Sequence, residues 1–134
     1  MDDHDPKIDQ EFTALPLRKL ADAALTQARS LGAQHADFRA ERIRGQQLGL
    51  SDGNLQTLFD ADDTGLAVRV IVAGTWGFAS AVDLTADAAA QAARQAVEVA
   101  RVAAAMNTEP IELAPEPWGP LPWKVGELWG VRCW

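Results

Sequence analysis

Tyrosine is absent from the 134 residues, and Phe and Trp together bring the aromatic share to only 7%. A core built from this sequence must rely on close packing of small aliphatic side chains rather than on rings. Cysteine occurs once, at Cys133, which rules out an internal disulfide and makes a reducing compartment, the cytoplasm, the expectation. Histidine occurs twice, at His4 and His35. Structural zinc needs about four Cys/His ligands and catalytic zinc about three protein ligands, and the sequence holds neither H-E-x-x-H nor C-x-x-C. His4 lies in a charged leader and reads as solvated. His35 follows Gly32 at the expected end of a helix and reads as a cap or surface group. No nucleophile is placed beside either. Gly45, Gly49 and Gly53 recur every four residues without making a phosphate-binding signature. The sequence therefore offers no catalytic, cofactor-binding or metal-ligating residue of its own.

Positive charge is also scarce. Twelve Lys and Arg against nineteen Asp and Glu leave a net charge of −7, which argues against direct contact with a phosphate backbone. No apolar run approaches the roughly 18–20 residues that span a bilayer, and Met1-Asp2-Asp3-His4-Asp5 is acidic where a secretory signal is basic and then apolar. Neither nucleic acid nor membrane is an expected partner.

What is present is one domain's worth of chain, 48% apolar and 23% charged. Residues 1–14 read as a polar leader, 15–113 as the folded domain and 114–134 as a Pro/Trp-rich tail outside it. A helix is expected from near Pro16, with Leu17, Leu20, Ala21, Ala24, Ala28 and Leu31 on one stripe and Gly32 as its stop. From Ala36 the period changes to two, with a bend or bulge near Gly45 where Ile43 breaks parity. Asp52-Gly53 predicts a type I′ hairpin. Leu55, Thr57, Phe59 and Ala61 then line a second strand. Asp62-Asp63-Thr64-Gly65 predicts another turn, followed by a third strand over 66–72, a tight turn at Ala73-Gly74 and a fourth strand over 75–82. Trp76 and Phe78 are expected to join Val68, Val70 and Val72 on one core face, with Gly77, Ala79 and Ala81 as a small face that lets a helix approach. A second helix follows over about 85–105, N-capped by Thr85 and mostly buried by its Ala and Val residues. The expected class is α+β: a helix, a four-strand antiparallel meander and a long Ala-rich helix. After the prolines at 110, 115 and 117, the last residues carry Trp118, Trp123, Trp129 and Trp134 without strand or helix period.

The run Gly65-Leu66-Ala67-Val68-Arg69-Val70-Ile71-Val72-Ala73-Gly74-Thr75-Trp76-Gly77-Phe78-Ala79-Ser80 resembles a signature of the TldD/PmbA family, called modulators of DNA gyrase and including zinc-dependent peptidases. Gly32-Ala33-Gln34-His35-Ala36-Asp37-Phe38-Arg39 ahead of it is similar to that family's strand entry. Asp83-Leu84-Thr85 and the Ala-rich helix ending in Val99-Ala100-Arg101 follow it in the matching order. The resemblance covers about residues 15–117 and leans toward the TldD-type subunit. It implies the N-terminal domain of a longer protein, which helps form a homo- or heterodimer and the cleft through which an unfolded peptide reaches the metal. In the family, zinc sits on a His-Glu-x-x-x-His helix with a further cysteine in the C-terminal domain. That motif is not in this sequence, and Cys133 is not carried over as a ligand, so zinc is expected only outside this chain and the chain alone is expected to be inactive. The ending after Pro117 departs from the family and reads as a truncated or frameshifted gene. A non-catalytic PmbA-type partner subunit and a stand-alone interaction module are the alternative roles.

Overall fold

A computed structural model of the chain describes residues 9–114. The elements run α1 (Gln10–Thr13), α2 (Leu17–Ser30), β1 (His35–Ser51), β2 (Asn54–Val72), β3 (Thr75–Ala81) and α3 (Ala86–Ala104). The fold is α+β, and its antiparallel sheet has three strands in the order β1-β2-β3 rather than four. The correction lies at Asp62-Asp63-Thr64-Gly65. These residues look like a turn by composition, yet they run straight through β2 and pair with Glu41, Arg42, Ile43 and Arg44 of β1. Cationic side chains opposite the aspartates give this polar stretch a cross-strand partner, and the chain has no reason to leave the ladder. The irregularity lies between Gly49 and Leu50, not near Gly45. It shifts the register by one residue and brings Arg44 opposite Asp62 and Gln46 opposite Asp60. Without it those positions would present opposite faces.

The turns are formed as their residues demand. Asp52 and Gly53 have φ of 51° and 78°, the two positive values of a type I′ hairpin. Ala73 and Gly74, at 49° and 67°, repeat that arrangement with an alanine where a side chain is disfavoured. This second turn is pinned. The Gly74 amide donates to Gln34 Oε1 at 2.8 Å, and its carbonyl accepts from Ile111 N at 2.8 Å and Asn107 Nδ2 at 3.1 Å.

Both long helices cover one face of the sheet. α2 ends in a Schellman arrangement, with Gly32 at φ 85°, the Ala33 amide on Ala28 O and the Gly32 amide on Arg29 O. Arg101 Nη2 donates to Leu31 O at 2.7 Å and ties α3 to that helix end. Thr85 caps α3 by accepting from Ala88 N at 3.1 Å. Leu20, Ala24, Leu25 and Ala28 of α2, Ala89, Ala92, Ala93, Ala96, Val97 and Ala100 of α3, and Ala36, Leu66, Val68 and Val70 of the sheet make one core. Val99 and Val102 stand exposed, so α3 buries a narrower stripe than its Ala and Val content suggests.

The sheet register divides β3 differently from the aromatic expectation. Thr75, Gly77, Ala79 and Ala81 pair with Val72, Val70, Val68 and Leu66, and cross-strand partners share a face. The small face of β3 is therefore the core face. Trp76 and Phe78 pair with Ile71 and Arg69 on the opposite side, where Phe78 is 58% exposed. The reason is distance. α3 lies so close that a Cβ built on Gly77 would fall onto the Ala96 carbonyl oxygen and 2.8 Å from Ala100 Cβ. Rings could not fit there.

Candidate functional site

Two surfaces gather polar and aromatic side chains. The first is the sheet face turned away from the helices. Asp37 of β1 and Arg69 of β2 are register partners, and Arg69 Nε and Nη2 both donate to Asp37 Oδ2, at 2.9 and 2.7 Å. The Arg69 guanidinium lies 4.6 Å from the Trp76 ring centre, a cation–π stack. His35 meets Trp76 edge to face with ring centres 6.1 Å apart, and its Nε2 is 3.5 Å from Asp37 Oδ2. His35 is thus the first residue of β1 and part of a cluster, not a helix cap. Imidazole, carboxylate, guanidinium and indole side by side can bind a polar or aromatic group. They supply no nucleophile with its base. Among the described residues, no group of three His, Cys, Asp or Glu side chains is placed to hold a metal ion.

The second surface lies on the β1–β2 ribbon beyond the helices. Arg42 Nε and Nη2 donate to Asp62 Oδ1 and Oδ2 at 2.8 and 2.7 Å, a two-pronged pair across the ladder. Arg42 Nη1 reaches Asp9 Oδ2 at 3.1 Å and Glu11 Oε2 at 3.0 Å. Arg44 adds contacts to Asp9 at 3.3 Å and Asp62 at 3.3 Å. The Arg42 hydrogen bond holds the Asp62 carboxyl down at about 2, and the carboxylates raise Arg42 further above its ordinary value. Asp9 is lowered first by the Phe12 backbone amide it accepts from, then by the Arg42 and Arg44 charges. Beside these charges the ribbon exposes Ile43, Leu48, Leu50, Leu55, Leu58 and Phe59.

His4, Cys133 and Trp118, Trp123, Trp129 and Trp134 lie outside the described residues. α1 falls within the stretch read as leader. The sequence reading missed both clusters, although a signal was present for each. Arg69 and Ile71 sit at the opposite parity to Val68 and Val70, and Arg42, Arg44 and Gln46 alternate opposite Asp60 and Asp62 once the hairpin is closed. No helix among the described residues is long and apolar enough to cross a membrane.

No curated protein matches the chain. A family model described as PmbA/TldA metallopeptidase domain 1 matches residues 36–100. The match starts at the second residue of β1, runs through the hairpin and both sheet pairings, and ends on α3. That stretch holds the Arg69–Trp76 face, the ribbon and the Gly77 contact, and through it the chain belongs to the PmbA/TldD metallopeptidase family, as its first domain.

Proposed function

We propose that this chain serves a TldD-type peptidase assembly as its non-catalytic first domain. In this reading it contributes to a homo- or heterodimer and to the wall of the cleft that admits an unfolded peptide. Zinc belongs to a separate C-terminal domain bearing His-Glu-x-x-x-His, so the chain alone neither holds the metal nor cleaves, and it works in the cytoplasm. The observation that carries the reading is the family match over the sheet and α3. A sequence without that zinc motif supports the division of labour.

The test has two arms. Zinc content is measured after dialysis, and cleavage of casein is followed with and without chelator. One tightly held zinc per chain, or proteolysis that a chelator abolishes, refutes the non-catalytic role. The second arm mixes the chain with a full-length PmbA-type subunit and measures mass by light scattering. A complex supports the assembly role. Persistent separation at about 10 μM, tighter than ordinary weak encounters, favours a stand-alone interaction module instead, a reading to which the exposed apolar ribbon lends support.

A further inference from the structure

α1 is four residues long and buries none of them, far short of the length at which a helix persists in water unaided. Its attachment is made by side chains. Asp9 and Glu11 hold Arg42 and Arg44, while Phe12 and Leu15 close a cavity of about 220 Å³ against Arg42, Thr64 and Leu84. The segment thus presents two carboxylates two residues apart, then apolar side chains, to a receptor built by other elements. That receptor does not depend on α1 for its shape. Arg42 spends Nε and Nη2 on Asp62 and faces the segment with Nη1. With α1 lifted away, Asp62 still holds the guanidinium in place, and Nη1 is left as an oriented donor beside an apolar hollow.

We infer that the Arg42–Arg44 face of the ribbon is a docking site for an acidic segment of another polypeptide, and that α1 is its built-in competitor. The guest places one carboxylate on Arg42 Nη1, another near Arg44 Nη2 and an apolar side chain in the hollow. α1 has the advantage of being tethered, with an effective concentration in about the millimolar range, so docking is held back until a guest with comparable charge displaces it. This inference goes beyond the family reading and does not rest on it.

The experiment uses the full chain, wild type and Asp9→Asn/Glu11→Gln, followed by NMR and amide exchange. The probe is an acetylated heptapeptide with the sequence of residues 9–15, Asp-Gln-Glu-Phe-Thr-Ala-Leu. In the double variant, amides of residues 10–15 are expected to lose protection while those of β1 and β2 keep theirs. The peptide then shifts the Arg42 and Arg44 side-chain signals and the Thr64 amide saturably, at least tenfold more tightly than in wild type. Arg44→Gln in the same background weakens it, and a peptide with both acids replaced by amides leaves the signals unmoved. Three results overturn the inference: α1 still protected in the double variant, equal peptide affinity in wild type and variant, or shifts centred elsewhere. A wild-type dimer that the double variant loses on light scattering also overturns it, by making a second copy's α1 the occupant.

Discussion

Gly77 offers the sharpest test of how the helices sit on the sheet. Its substitution by alanine adds one methyl group, at a site with no empty volume. The new Cβ would land on the Ala96 carbonyl oxygen and within 2.8 Å of both Ala100 Cβ and Ala100 N. Most overpacked sites relieve themselves by turning a side chain, at about 1–3 kcal/mol. Here the obstacles on the helix are largely backbone, so α3 must move bodily away from β3 and give up contacts along the Ala92–Ala100 stripe. We expect a loss of about 3 kcal/mol, at or above the top of the usual range. For a domain of this size that lowers Tm by about 12–24 °C, at roughly 4–8 °C per kcal/mol. Ala100→Gly should not rescue the variant, because the Ala96 carbonyl stays where it is and a helical glycine costs about 1 kcal/mol of its own. Gly45→Ala is the control. Nothing lies within 4 Å of a Cβ there and its φ is not positive, so the change should stay within about 0.5 kcal/mol. Thermal unfolding by circular dichroism reads all three. A Gly77→Ala midpoint within 2 °C of wild type, roughly the effect of half a kcal/mol, would refute the close helix–strand contact.

Val70 and Phe78 test the face assignment. Val70→Ala, at a fully buried site, should cost about 2 kcal/mol, whereas Phe78→Ala should cost well under half as much despite removing more atoms. Urea midpoints in the reverse order would place the rings in the core after all. Acid tests the Arg42 pair. Asp62 sits at about 2 in the fold against an ordinary 3.8, so its contribution is complete above about pH 4 and drains away as pH falls through 2. The difference in Tm between wild type and Asp62→Asn should accordingly be constant from neutrality to about pH 4 and close toward pH 2; a gap that survives at pH 1.5 contradicts it.

Much of this fold follows from local chemistry, and its failures of legibility have physical causes. Asp52-Gly53, Gly32 and Thr85 announce their turn, stop and cap because each answers a backbone demand that few other residues meet. Val68, Val70 and Val72 announce a buried strand face by alternation. Asp62-Asp63-Thr64-Gly65 misleads because its strand state is held by Arg42 and Arg44, about twenty residues earlier in the chain. Trp76 and Phe78 mislead because size suggests burial, whereas the core face was chosen by how near α3 can come. The Asp37–Arg69–Trp76 cluster needs the register between three strands, which no single stretch contains.

The length of the β1–β2 ribbon has a mechanical consequence. From Arg42 to the Asp52-Gly53 tip the arm extends about 30 Å at strand rise, and only its root is clamped by helices. An arm of that length acts as a lever: a bend of about 10° at the root carries the tip some 5 Å, by strand geometry alone. Each strand's hydrogen bonds run to the other, so such a swing need break none of the ladder. Sub-ångström adjustments around Gly65, whose built Cβ would stand 3.1 Å from the Ala81 carbonyl, are thereby magnified into ångströms at Leu50 and Leu55.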